Sequence, residues 1–257
     1  MLLGALAAAA CSAPPDAPSD ATGEEAQTNL AGWTDVSRGI SGRAIGNGAG
    51  SGAGTAVLVV YGGCGARFEH SEAWADALVA ARGEALDLGH VYASKGPEDA
   101  LYRARELGNT ALAARIAASP PSAVYVLAHS SGSFVAHELL AKLPVDVLAH
   151  THYFDLDGGQ DGLTLGIARG LAALTFVYAN DPGVGLSRNG AFMRALAPQY
   201  HGAKAFVVDA ADSGCATSNC LHDTMITNHP HNRQTFDVAD DYTDFAGRVV
   251  TSAYLTK

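Results

Sequence analysis

Apolar runs recur along the chain at intervals that only a few architectures accept. TAVLVVY (55–61), AVYVLA (123–128), ALTFVYA (173–179) and AKAFVVDA (203–210) are Val-, Leu- and Phe-rich along their whole length. ALDLGHVYA (85–93) and VDVLAHTHYFDLD (145–157) are weaker runs of the same kind. A strand with one wet face alternates apolar and polar residues; a continuously apolar strand is covered on both faces. Between the runs lie segments with helical spacing. Ser71 to Arg82 carries Trp74, Leu78 and Val79 on one face and stops at Gly83. Pro97 opens a helix predicted to run to about Ala118, closed by Pro120 and Pro121. Helices are also expected over 132–143, 161–172, 189–200 and 245–254. Strands alternating with helices, and apolar throughout, predict an α/β fold: a doubly wound, mostly parallel sheet of about six or more strands with helices on both faces.

The length of 257 residues suits one large domain or two small ones. Hydrophobic residues make up 48%, enough for a packed core. The formal net charge is −10 and Lys and Arg are not clustered, which excludes nucleic acid as the expected partner.

The first 54 residues read differently. Residues 1–11 are a short apolar segment ending in small residues and Cys11, too short to span a bilayer and shaped like an export signal. The stretch Leu6 to Cys11 resembles the lipobox of bacterial lipoproteins, although Ala8 stands where Leu is usual and no Lys or Arg precedes it. The resemblance implies a lipid on Cys11, membrane contact only through that lipid, and a cell-envelope, secreted or periplasmic location. Residues 12–54, rich in Pro, Ser and Asp and then in Gly, read as a flexible tether, with Trp33 the one residue suited to dock on a domain. Residues 55–257 read as one globular domain.

In an open parallel sheet, ligands bind beyond the carboxyl ends of the strands. One such end is singular. In VYVLAHSSGSFVAHELL (124–140) a buried strand becomes a buried helix through Ala128, His129, Ser130, Ser131 and Gly132, all small or polar. A strand-to-helix corner with serine at its tip is a nucleophile elbow, read here with Ala128 in place of the first Gly of G-x-S-x-G. The competing reading is a serine-rich helix cap.

With this elbow the chain resembles the α/β-hydrolase superfamily over residues 55 to about 254. The resemblance implies a nucleophilic Ser, an acid and a His, in that chain order. Ser130 is then the nucleophile. His222 is the first choice for the base, ahead of His229 and His231; it directly follows GCATSNC, where an exported chain is expected to join Cys215 to Cys220. Asp181, just past the strand 173–179, is the first choice for the acid. Asp155 and Asp157, closing the preceding strand, are its rivals. The oxyanion donors implied are the backbone N–H of Ser131 and one from Gly63 or Cys64 in YGGCGARF. Cys64 is otherwise a lone buried thiol.

The expected function is ester hydrolysis through an acyl-enzyme, on a small-molecule ester or acyl substrate and with no cofactor. A surface lipoprotein that binds a ligand with the same fold is the alternative. Weaker readings are a phosphate loop at GGCG, which lacks the G-K-[ST] ending, a zinc site from Cys215, Cys220, His222 and His229, and a metal hydrolase built on His150, His152 and Asp155.

Overall fold

The computed structural model describes residues 30–45, 55–63, 66–97, 108–159, 162–179, 197–200, 202–208 and His222. In chain order the elements are β1 (Thr34–Ser37), β2 (Ile40–Ala44), β3 (Ala56–Tyr61), α1 (Phe68–Arg82), β4 (Leu88–Ser94), α2 (Asn109–Ala118), β5 (Val124–His129), α3 (Gly132–Lys142), α4 (Val145–Leu148), β6 (Thr151–Leu156), α5 (Leu165–Gly170), β7 (Ala173–Ala179) and β8 (Lys204–Val208). They build one eight-stranded sheet in the order β1-β2-β4-β3-β5-β6-β7-β8. Strands β3 to β8 are parallel, and β1 and β2 add an antiparallel hairpin at one edge. This order, with a serine corner after β5, is that of the α/β-hydrolase fold.

Alternation along the apolar strands divides the core in two. Val57, Val59 and Tyr61 of β3, with Val124 and Val126 of β5, pack toward Leu112 and Ile116 of α2 and Val135 and Leu139 of α3. Leu58 and Val60 of β3, with Tyr125 and Leu127 of β5, face Trp74 and Leu78 of α1. Both faces are covered, which is why these strands carry no polar alternation. The sequence therefore places five of the six parallel strands and the helices near 71–82, 132–143 and 161–172; the helix expected over 245–254 and most of that over 189–200 lie outside the described residues.

Two segments differ from the sequence reading. The run 145–157 is not one strand. Pro144 caps a single helical turn, α4, in which Leu148 N–H bonds the Pro144 carbonyl at 2.8 Å, and β6 begins only at Thr151. The neighbouring strands β5 and β7 are six and seven residues long, so a thirteen-residue strand would have no partners for half its length. The helix expected from Pro97 is seen as Asn109–Ala118; residues 98–107 lie outside the described residues.

The second difference is at the N-terminus. Part of the stretch that composition assigns to a flexible tether is sheet: β2 pairs with β4 from Ile40↔Ser94 to Ala44↔His90. Trp33, 5% exposed, anchors the hairpin on α1. Its Nε1–H is shared between the two carboxylate oxygens of Asp76, at 3.2 and 3.3 Å; Arg43 also pairs with Asp76 at 2.6 Å and lies 5.6 Å over the indole. One step earlier, Leu30 N–H bonds the buried Glu72 carboxylate at 2.6 Å. Low apolar content misled the composition argument: the hairpin gains its order from an existing sheet edge and one large aromatic, not from a core of its own.

Replacing Trp33 should therefore cost more than a tether residue could. Trp33→Ala is expected to lose about 3 kcal/mol and to lower the melting temperature by roughly 6–12 °C in a chain of this size, measured by calorimetry. A change within scan error would return residues 30–45 to tether status.

Candidate active site

The end of β5 builds the corner that the sequence predicts. Strand β5 stops at His129, Ser130 follows with φ +55°, and α3 starts at Gly132. A left-handed non-glycine residue is strained by its Cβ, and such strain persists only where the surroundings enforce it. Here they do. Ser130 N–H bonds the Leu156 carbonyl at 3.0 Å, and the Ser130 carbonyl receives the Ser133 N–H at 3.1 Å. Gly132 has a steric reason: a Cβ there would fall on the carbonyl oxygens of Tyr61 and Gly62 at the end of β3. Ala128 sits in the strand itself, fully buried, where a methyl group is accommodated.

The loop after β3 comes equally close. A Cβ on Gly63 would lie 3.1 Å from Ser130 Cβ and 3.1 Å from His129 Nδ1, a tight fit that glycine avoids as its backbone comes this near the serine. Ser131 is buried at the N-cap of α3, where the first N–H groups of a helix have no intrahelical acceptor and the dipole favours negative charge. Its hydroxyl makes no hydrogen bond among the described residues. Cys64 lies outside them.

The next strand ends in register with the corner. His129 pairs with Leu156, so the residues that follow, Ser130 and Asp157, leave adjacent strands side by side. Asp157 has φ +51° and donates its N–H to the Val177 carbonyl at 2.7 Å. Its Oδ2 lies 2.6 Å from Nδ1 of His222, with both side chains buried. The carboxylate against His222 is thus Asp157, ranked behind Asp181 by sequence. Asp181 lies outside the described residues. Strands are about 4.8 Å apart, so a residue after β7 starts one strand further from Ser130 than a residue after β6.

Asp155 serves differently. Strand alternation turns it toward α3, where its Oδ1 accepts the Gly158 N–H at 2.9 Å and its Oδ2 lies 3.3 Å from Tyr153 OH and 3.8 Å from His137 Nε2. Tyr153 OH and His137 Nε2 are 2.8 Å apart. Burial raises the Asp155 pKa, and His137 partly offsets this. The network holds the turn that carries Asp157. Neither the register of β5 and β6 nor this network has a signature in the linear chain.

His129 is the residue that sequence reasoning treated as elbow filler. It is 2% exposed; its Nε2 lies 3.0 Å from the His222 carbonyl oxygen, and the two rings are 4.4 Å apart, tilted by 41°. Burial first, then the nearby His222, push its pKa well below the usual imidazole range.

His229, His231, Cys11, Cys215 and Cys220 lie outside the described residues. Among the described residues no group of three His, Cys, Asp or Glu side chains could hold a metal ion. His152 instead packs on Tyr125, with ring centroids 5.0 Å apart.

No family model and no curated protein sequence matches the chain. Among solved structures it is similar to an esterase from Pyrobaculum calidifontis, at 14% identity over 69% of this chain and 75% of that chain, with a TM-score of 0.46. It is similar to a poly(3-hydroxybutyrate) depolymerase from Bordetella parapertussis at 14% identity, over 80% and 87% of the two chains, with a TM-score of 0.41. A siderophore hydrolase from Aspergillus nidulans is 12% identical over 79% and 97%, with a TM-score of 0.39.

The depressed pKa of His129 has a consequence for stability. Between the folded value and the unfolded one, near 6.5, the unfolded chain binds more protons, so acid favours unfolding. The contribution is fully present above pH 6.5 or so and is lost as pH falls toward the folded value. His129→Gln removes this titration. Relative to wild type, the variant should lose less stability between pH 7 and pH 5, followed by urea unfolding at each pH. Parallel pH profiles would show that His129 is not held neutral.

Proposed function

We propose that this chain is a serine hydrolase of carboxylic esters that works through an acyl-enzyme on Ser130. The observation that carries this reading is the 2.6 Å contact of Asp157 Oδ2 with His222 Nδ1, beside a left-handed serine at the end of β5. In the proposed mechanism Nε2 of neutral His222 takes the Ser130 proton as Oγ attacks the ester carbonyl. Asp157 holds the Nδ1–H tautomer and stabilises the imidazolium without accepting its proton. The N–H of Ser131 and one from the Gly63–Cys64 loop receive the developing oxyanion. The imidazolium then protonates the leaving alcohol, and water, deprotonated by the same imidazole, releases the acid. No cofactor is needed for these steps.

Labelling by a fluorophosphonate probe with intact-mass detection tests the nucleophile: one adduct is expected on wild type and none on Ser130→Ala. A folded wild type that takes no adduct would favour a ligand-binding role. The acid is tested by two substitutions on the same ester substrate. Asp157→Asn is expected to cut kcat by roughly 10³- to 10⁴-fold through the wrong tautomer, and Asn accepts the positive φ that the position requires. Asp181→Asn is expected to retain near-wild-type kcat; the reverse ranking would move the acid back to the end of β7.

The proposed setting is the cell envelope, with a lipid on Cys11 and a disulfide between Cys215 and Cys220. Support comes from the lipobox-like Leu6–Cys11 stretch and the short Cys-bounded loop.

A further inference from the structure

His129 touches three parts of the site at once. Its backbone forms the approach to Ser130, its Nδ1 faces Gly63 of the oxyanion loop, and its Nε2 reaches the His222 carbonyl. We propose that His129 is a positioning residue for His222: its Nε2–H donates to the His222 backbone carbonyl, and its ring backs the His222 imidazole. The inference rests on the serine-hydrolase reading above and assigns a role inside that site.

The argument runs through the acceptor. A carbonyl oxygen can only accept, so the 3.0 Å contact needs a proton on Nε2. A neutral His129 is then the Nε2–H tautomer, with the Nδ1 lone pair toward Gly63. Burial and the neighbouring imidazole keep the ring uncharged, so it adds no repulsion when His222 becomes an imidazolium during the reaction. Asp157 fixes the rotation of the His222 ring through Nδ1, but a hydrogen bond to the ring does not fix the backbone that carries it. His222 lies fourteen residues beyond the end of β8, and the His129 bond ties its main chain to the end of β5, the same strand end that aims Ser130. Nucleophile and base thus share one support.

The test compares side chains of equal reach. His129→Gln places an amide N–H near the Nε2 position, whereas His129→Met has the same length and no donor. His129→Phe keeps a ring without a donor. On the full chain, with a p-nitrophenyl ester and the fluorophosphonate probe, Met and Phe are expected to lower kcat and the labelling rate by roughly 10- to 100-fold, as a misplacement of about 1 Å does. KM should stay near wild type, and Gln should recover most of the loss. A structural role alone would make Gln and Met equal. Nitrogen-15 NMR of the imidazoles in the Ser130→Ala background gives a readout that needs no catalysis. The deshielded Nδ1–H of His222 on Asp157 should persist with Gln and broaden or vanish with Met. Equal rates for Gln and Met, or an unchanged His222 signal in both, would overturn the proposal. A wild type that neither labels nor hydrolyses would overturn the hydrolase reading instead, leaving the NMR comparison to decide the anchoring.

Discussion

The register between β5 and β6 is the constraint on which the site depends. Because His129 pairs with Leu156, the two strands stop level with one another, and each passes its next residue into the left-handed region. Ser130 and Asp157 are placed as neighbours by backbone hydrogen bonds before any side chain of the site is considered. A slip of one residue in a sheet turns every side chain to the other face. Here it would also separate Ser130 from Asp157 and the imidazole bonded to it. The apolar faces of β5 and β6, packed on α3 and on the α1 side, make such a slip expensive.

Around that register, the buried carboxylates and imidazoles are hydrogen-bonded. Asp155, Tyr153 and His137 form one network behind the turn, and Asp157, His222 and His129 form another in front of it. Buried carboxylates and imidazoles destabilise a core unless their partners are in place. Two such networks meeting at one turn hold Asp157 between them. One consequence is sensitivity to acid through His129, which burial holds neutral. The hairpin of β1 and β2 follows a related logic at one edge of the sheet: a short polar segment becomes ordered through Trp33, Asp76 and an existing strand to pair with.

Much of the fold was legible because parallel strands covered on both faces must be apolar along their whole length. TAVLVVY, VYVLAH and ALTFVYA could hardly be anything else in a chain punctuated by helical segments. Pro144 hid a helical turn inside an apolar run, and the composition of residues 30–45 hid a hairpin, because pairing with a distant strand leaves no local mark. At the site, the small residues around Ser130 announced a tight corner. The choice between Asp155 and Asp157 had no comparable signal: both close the same apolar run, and only their contacts in the folded state separate them.

The sequence by itself determined the strand–helix alternation, the corner at Ser130 and the glycines that must lie against it, since each follows from local sterics and from the burial that an apolar run demands. The tertiary structure alone decided which carboxylate meets His222, that His129 Nε2 meets the His222 carbonyl, and that Trp33 closes a hairpin on α1. These are contacts between residues far apart in the chain. Their distances are set by sheet register and strand spacing, which the linear order of residues does not contain.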